Sequence, residues 1–259
     1  MELFGYQIDD SRIDEHPDLD ELAQPYFHKG NNIGCICIHG IGGTPANMRV
    51  VSDALEKAGY TVDVPMLAGH GTTIRNLAAS SWQDWVKTVE DSYDKLKAEG
   101  CDKIAVLGLS LGGILSAYLA EERDVIGCCC LSAPFRMKPW LNFSKIVSPI
   151  MPYVSYPPSK HTDPHSQGYR GFCSKKLVDL QKLINKTNKG LGKITCPVHA
   201  IWARKDDKVD ESSKNILRKG LKNAKLTEQT LENSPHGSTY GPEKLLAGEY
   251  ALNFIQSIS

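Results

Sequence analysis

The sequence has no excess of charge of either sign and no long apolar run. Lysine and arginine number 30, aspartate and glutamate number 30, and the formal net charge of the 259 residues is zero. Proteins that bind nucleic acid through its phosphates need a basic excess, so we expect no nucleic-acid partner. The longest apolar run, near residues 125–131, is much shorter than the ~18 residues of a membrane-spanning helix. No membrane span is therefore expected.

The sequence also lacks a secretory signal and a paired cysteine motif. Its first ten residues contain neither a basic segment nor an apolar one, so we expect a cytoplasmic protein. Cys35 and Cys37 alternate within one apolar run, and cysteines 128–130 lie in another. Because neighbouring side chains in a strand point to opposite faces, these cysteines are predicted to be buried and unbridged. No C-x-x-C pair is matched by a second pair, so no metal site is predicted.

Apolar runs of strand length alternate along the chain with segments of helical period. This alternation predicts an α/β protein, in which a mostly parallel central sheet is flanked by helices on both sides. We predict a single domain over residues 1–259. The predicted strands are 33–38, 61–64, 103–107, 125–131, 197–202 and 226–230, and the predicted helices are 45–58, 82–97, 112–122, 212–220 and 242–258.

Residues 135–191 interrupt the alternation and are predicted to form a small lid. Seven of the fourteen prolines lie between positions 134 and 164, and only residues 175–184 have a helical pattern. Long insertions between core strands are usually functional. The aromatic side chains in this stretch are unfavourable to expose, which favours a lid over a surface loop without a role. These aromatic residues are Trp140, Phe143, Tyr153 and Tyr156.

A Gly-x-Ser-x-Gly pattern at residues 108–112 lies between a predicted strand and a predicted helix. This context is typical of a nucleophile elbow, a tight strand–turn–helix that exposes the serine hydroxyl. The turn leaves no room for side chains beside the nucleophile, which explains Gly108 and Gly112. Ser110 is therefore the predicted nucleophile. The alternative is a tight turn that contains a serine by chance.

A serine hydroxyl becomes nucleophilic when a base takes its proton. His236 is the predicted base, because it lies in a loop between the last predicted strand and the final helix. A carboxylate must orient this imidazole, and Asp206 and Asp207 both follow the strand at 197–202. The order Ser, Asp, His along the chain is that of α/β-hydrolases. Their position in the sequence does not decide which of the two aspartates is the acid.

A glycine-rich loop, His39-Gly40-Ile41-Gly42-Gly43, follows the first buried strand. Backbone N–H groups in such a loop can stabilise the oxyanion of a tetrahedral intermediate, and the expected donors are the N–H groups of Ile41 and Leu111. A phosphate-binding loop is the alternative, but neither of the common phosphate-loop patterns is present. His39 is expected to brace the loop without taking part in the chemistry.

These motifs together resemble the small α/β-hydrolases grouped as bacterial carboxylesterases and monoacylglycerol lipases, over nearly all of the chain from about residue 33. The matching segments are 39–45, 69–71, 108–113, 203–206 with Val209, and 234–237. In that family the acid lies three residues before an apolar residue, which favours Asp206 and makes Asp207 the second choice. The residue after His39-Gly40 is often aromatic there and is Ile41 here.

The resemblance implies an α/β-hydrolase fold and a serine carboxylic-ester hydrolase that forms an acyl-enzyme. The implied catalytic residues are Ser110, Asp206 and His236, with Ile41 and Leu111 at the oxyanion. The expected partner is a small-molecule ester of short to medium chain length or a monoacylglycerol, and no cofactor is expected. The alternatives are a thioesterase, amidase, feruloyl esterase or acyltransferase with the same triad, and a non-catalytic binding protein with this fold.

Overall fold

The structure is a computed structural model that describes most of the chain. The described residues are 14–139, 141, 146, 148, 153–155, 163–169 and 171–259, together with the backbone of two short strands at 2–3 and 6–7. Three of the four aromatic residues that suggested a lid, Trp140, Phe143 and Tyr156, lie outside the described residues. The prediction of a lid over residues 135–191 therefore remains a prediction.

A seven-stranded sheet forms the centre of the described molecule, in the order β11-β10-β7-β6-β4-β5-β3. Its strands pair in parallel, except for β3, which pairs antiparallel with β5 at one edge. The mostly parallel sheet predicted from the alternation is confirmed. The strands are β3 (Tyr26–His28), β4 (Ile33–Ile38), β5 (Thr61–Val64), β6 (Lys103–Leu109), β7 (Gly127–Leu131), β10 (Val198–Ala203) and β11 (Leu226–Leu231).

Helices pack on both faces of this sheet, as predicted. Strand β4 shows why: Ile36 and Ile38 join one apolar cluster, whereas Cys35 and Cys37 join the cluster on the other face. Such a strand has no side that faces water. Helices α3, α4 and α5 cover the first cluster, and α1 and α7 cover the second. The helices are α1 (Arg49–Lys57), α2 (Ile74–Ala79), α3 (Trp82–Ala98), α4 (Leu111–Glu122), α5 (Ser174–Gly190), α6 (Ser212–Gly220) and α7 (Lys244–Ile258).

Several elements differ from the predictions. Helix α5 covers Ser174–Gly190 instead of residues 175–184, and the predicted helix at 45–58 consists of a short 3-10 helix, Pro45–Met48, followed by α1. A second, antiparallel sheet was not predicted. It pairs the N-terminal strands β1 (Glu2–Leu3) and β2 (Tyr6–Gln7) with β8 (Tyr153–Ser155) and β9 (Gly171–Cys173). Strands of two or three residues are too short to show an apolar alternation.

The five cysteines of the two apolar runs are buried and unbridged, as predicted, and so are the other three. Seven of the eight pack in the two apolar clusters beside the central sheet as small apolar side chains, and Cys173 packs in a third cluster with Ile74, Leu77 and Tyr169. Within the described residues, no helix combines the length and the apolar character that crossing a bilayer requires. The loops that follow β4, β6, β10 and β11 all leave the sheet at the carboxyl ends of its parallel strands, which we call the carboxyl edge. This edge brings together the residues that the sequence singled out.

Candidate active site

Ser110 occupies the sharp turn between β6 and α4 in a strained conformation. Its φ is 56° and its ψ is −115°, a backbone conformation that residues other than glycine rarely adopt. A side chain on Gly108 would place its Cβ 2.2 Å from the carbonyl carbon of Gly112, and a Cβ on Gly112 would lie 2.1 Å from the carbonyl oxygen of Ile38. The two glycines therefore permit the turn. The N–H of Ser110 donates to the carbonyl of Leu131 at 2.8 Å, which ties the turn to the neighbouring strand.

The structure brings Ser110, His236 and Asp206 into one chain of hydrogen bonds. The Nε2 atom of His236 lies 2.8 Å from the Oγ of Ser110, and its Nδ1 lies 2.8 Å from Oδ2 of Asp206. The carboxylate fixes the proton on Nδ1, which leaves the lone pair of Nε2 to accept from the serine hydroxyl. These are the distances that nucleophile–base and base–carboxylate pairs require.

The carboxylate of Asp206 is held in its ionised form although only 7% of its side chain is exposed. Burial alone would raise its pKa, but the hydrogen bond and positive charge of His236, with two backbone donors, hold the pKa below its usual value. These donors are the N–H groups of Lys208 and Val209, at 2.8 and 2.9 Å from Oδ1. One oxygen of the carboxylate thus binds the backbone and the other binds the imidazole.

The second candidate acid, Asp207, points away from this chain of hydrogen bonds. Its side chain is 65% exposed and its Oδ2 contacts the ammonium group of Lys208 at 2.7 Å. Two adjacent aspartates thus have different surroundings. The geometry selects Asp206 as the carboxylate in contact with His236.

The predicted oxyanion donors flank the serine. Gly40 lies against Ser110, since a Cβ on Gly40 would be 3.3 Å from the Cβ of the serine, and Ile41 follows it. Leu111 is the first residue of α4, where backbone N–H groups have no partner within the helix. Neither N–H donates to an acceptor in the described part of the chain. Among the described residues, neither group is therefore committed to another acceptor, and their role at the oxyanion stays a prediction.

His39 braces the glycine-rich loop, as expected from the sequence. Its Nδ1 donates to the carbonyl of Gly40 at 2.9 Å, and its Nε2 accepts from the N–H of Leu67 at 3.1 Å. Burial lowers the pKa of His39 to about 4, although the carbonyl of Gly40 opposes the shift. The imidazole is therefore neutral near pH 7. It connects the loop to the segment that follows β5.

Comparison with known proteins identifies the family. Residues 35–246 match the Alpha/beta hydrolase family, which covers well over half of the chain. This chain belongs to the alpha/beta hydrolase family. The fold class and the family resemblance predicted from the sequence are confirmed.

The relatives of this alpha/beta hydrolase include two bacterial ester hydrolases. A thermostable monoacylglycerol lipase from Bacillus sp. (strain H-257) is 31% identical over 90% of this chain and 94% of its own length. A carboxylesterase from Bacillus subtilis (strain 168) is 26% identical over 91% and 97%. A solved structure from work on LipS and LipT, two metagenome-derived lipolytic enzymes, is 28% identical, with a TM-score of 0.84 over 93% of this chain and 100% of that chain. These relatives bear out the predicted class of enzyme, an ester hydrolase.

Two residues near the site of this alpha/beta hydrolase, Ser132 and Ser238, lie in no recognisable sequence motif and were not predicted. Ser132, which follows β7, is the second described residue other than glycine with a positive φ, at 45°. Its hydroxyl lies 3.1 Å from that of Ser238, whose N–H donates to the carbonyl of His236 at 2.9 Å. The pair thus ties the histidine loop to the sheet. The one feature of the sequence that could have indicated Ser132 is its position directly after the predicted strand that pairs with β6.

Proposed function

We propose that this protein is a serine carboxylic-ester hydrolase. The observation that carries the proposal is the continuous hydrogen-bonded chain from Ser110 through His236 to the ionised Asp206. This chain lies where the strands of the sheet end, beside the N–H groups of Ile41 and Leu111, for which the described residues provide no acceptor. A strained serine, an imidazole within hydrogen-bond reach of it and a buried carboxylate are the parts that acyl transfer requires.

In the proposed reaction, Ser110 attacks the ester carbonyl while His236 takes its proton. The N–H groups of Ile41 and Leu111 stabilise the negative charge that develops on the carbonyl oxygen. The tetrahedral intermediate collapses, and His236 gives its proton to the departing alcohol. Water, activated by the same imidazole, then hydrolyses the acyl-enzyme. Asp206 keeps the imidazole in the productive tautomer and stabilises its charged form.

The proposed substrates are monoacylglycerols or other carboxylic esters of short to medium chain length. The support comes from the two bacterial relatives, which are named monoacylglycerol lipase and carboxylesterase and match this chain over nearly its whole length. We further propose that residues 135–191 form a lid that sets chain-length selectivity within a single domain. A cytoplasmic site of action is proposed as well, because eight buried free thiols suit a reducing compartment.

A fluorophosphonate probe, which reacts much faster with an activated serine than with an ordinary one, tests the proposal. We expect the wild-type protein to be labelled and to hydrolyse p-nitrophenyl butyrate, and we expect Ser110→Ala to lose both properties. Ser116→Ala is a matched control, because Ser116 is a buried serine in α4 that donates to the carbonyl of Gly112 at 2.8 Å. That variant should keep both properties. A wild-type protein that is neither labelled nor active on any ester would refute the proposal and favour a binding protein.

A further inference from the structure

A short segment of the predicted insertion runs back against the loop that carries Ile41. We call residues 163–169 the strap and residues 40–44 the oxyanion loop. The N–H of Tyr169, in the strap, donates to the carbonyl of Gly42 at 3.1 Å. The oxyanion loop is rich in glycine and has few side chains of its own with which to hold its backbone. Contacts from outside the loop therefore decide where the N–H of Ile41 points.

The strap contacts three successive residues of the oxyanion loop. Next to the bond to Gly42, Gly43 forms an antiparallel bridge with Gly168. The hydroxyl of Thr44 then donates to the carbonyl of Gln167 at 3.2 Å. The two segments thus run side by side like a pair of short strands. Their partners are more than 120 residues apart in the sequence.

The side chain of Asn47 links the two segments and is almost fully buried. Its Oδ1 accepts from the N–H of Thr44 at 3.2 Å. Its Nδ2 donates to two carbonyls of the strap, that of His165 at 2.6 Å and that of Gln167 at 3.2 Å. One amide therefore satisfies a donor on the oxyanion loop and two acceptors on the strap. A side chain with a different arrangement of donor and acceptor cannot do both.

Both ends of the strap are fixed to the rest of the protein. At one end, the hydroxyl of Tyr169 donates to the carbonyl of Gly69 at 2.7 Å and accepts from the N–H of Thr72 at 3.2 Å. At the other end, Asp163 accepts from the N–H of His165 at 2.9 Å and forms an ion pair with Lys244 of α7. The strap is therefore a fixed support for the oxyanion loop.

We propose that Asn47 and Tyr169 are positioning residues that hold the N–H of Ile41 in line with the oxyanion. This inference rests on the proposed ester hydrolysis. Neither side chain has to touch the substrate, because each acts through the backbone of the oxyanion loop. Small displacements matter here, because moving a catalytic group by about 1 Å can cost about a hundredfold in rate. Loss of one oxyanion donor costs about a hundredfold to a thousandfold in kcat.

The decisive variant is Asn47→Asp, which keeps the size of the side chain. Its carboxylate still accepts from the N–H of Thr44, but its other oxygen faces the two strap carbonyls and repels them. We expect kcat on p-nitrophenyl butyrate to fall about tenfold to a hundredfold, with KM changed less than about twofold. The effect falls on kcat because the oxyanion contact forms fully only in the transition state.

A milder variant and a matched control separate positioning from stability. Tyr169→Phe removes one buried hydroxyl that donates to a backbone carbonyl, and Tyr93→Phe removes another, whose hydroxyl donates to the carbonyl of Asp124 at 3.0 Å. The two tyrosines are 9% and 7% exposed. We expect Tm to fall in both variants, and at least as far in Tyr169→Phe because its hydroxyl also accepts from the N–H of Thr72. We expect kcat to fall only in Tyr169→Phe. Both Tyr169→Phe and Asn47→Asp should also lower the preference for an ester over its thionoester, since sulfur accepts hydrogen bonds poorly.

The outcomes are distinguishable. A wild-type protein without ester turnover would overturn the proposed function, and this inference with it. An active wild type whose Asn47→Asp and Tyr169→Phe variants keep kcat and the ester-to-thionoester ratio would overturn this inference alone. A rise in KM at constant kcat would also overturn it, because it would assign the two residues to substrate binding.

Discussion

The adjacent pair Asp206 and Asp207 allows a sharp test of the acid's role. In Asp206→Asn, the two backbone N–H groups of Lys208 and Val209 decide how the new amide is oriented. They donate to Oδ1 at 2.8 and 2.9 Å, so the carbonyl oxygen of the asparagine must occupy that position. The NH2 group is then directed at Nδ1 of His236. It donates to this nitrogen and drives the proton of the imidazole to Nε2.

An imidazole with its proton on Nε2 cannot accept the proton of Ser110. The productive tautomer becomes the rare one, and the stabilisation of the imidazolium by a carboxylate is lost as well. We expect kcat to fall on the order of 10⁴-fold, which corresponds to about 5.5 kcal/mol of transition-state stabilisation. Asp207→Asn removes the same charge one residue later, at a side chain that is mostly exposed. It should change kcat less than about twofold.

Steady-state hydrolysis of p-nitrophenyl butyrate at pH 7.5 measures both variants, with Tm as the control for folding. The reasoning fails if Asp206→Asn keeps more than about a tenth of the wild-type kcat while folded. It also fails if Asp207→Asn is the more damaging change. The second result would transfer the role of the acid to Asp207 in spite of its exposure and its contact with Lys208.

Three further predictions concern the triad, a partly buried carboxyl group and the insertion. Ser110→Ala, His236→Ala and the double variant should lose ester turnover to the same extent, because the residues act as a unit; additive losses in kcat would contradict this. Burial raises the pKa of Glu121 to about 8, so its contribution to stability is present at acidic pH and is lost as the pH rises from about 4.5 through 8. Glu121→Gln should therefore raise Tm by about 2–4 °C at pH 9 and change it little at pH 5. The rise at pH 9 corresponds to roughly 1 kcal/mol of unfolding free energy after allowing for partial exposure of the side chain. An equal shift of Tm at both pH values would refute the raised pKa of Glu121. Alanine in place of the aromatic residues of the predicted lid should raise KM for long-chain esters more than for acetate, and a uniform loss would exclude a role in selectivity.

The sequence predicted the parts of the site that depend on short-range geometry. Gly108 and Gly112 are required by a turn of five residues, so the elbow is visible in the sequence as a local pattern. The pairing of Ser132 with Ser238 joins residues 106 positions apart, and Asn47 contacts the strap across 118 positions. No local pattern encodes such contacts, because they arise only when the sheet brings distant loops together. The small antiparallel sheet was missed for the same reason, and also because its strands of two or three residues are too short to show an apolar alternation.

The distribution of the site over the sheet has a consequence for refolding experiments. The oxyanion loop follows β4 and His236 follows β11, with β6, β7 and β10 between them. Four strand spacings of about 4.8 Å put β4 and β11 roughly 19 Å apart across the sheet, so the loops that follow them reach Ser110 from opposite sides. From β4 to β11, every pair of neighbouring strands is parallel and joins segments distant in sequence. Such pairing forms slowly. Recovery of ester turnover after dilution from denaturant should therefore follow the last kinetic phase, after helical circular dichroism has returned, and the enzyme's own activity can serve as a reporter of complete sheet assembly.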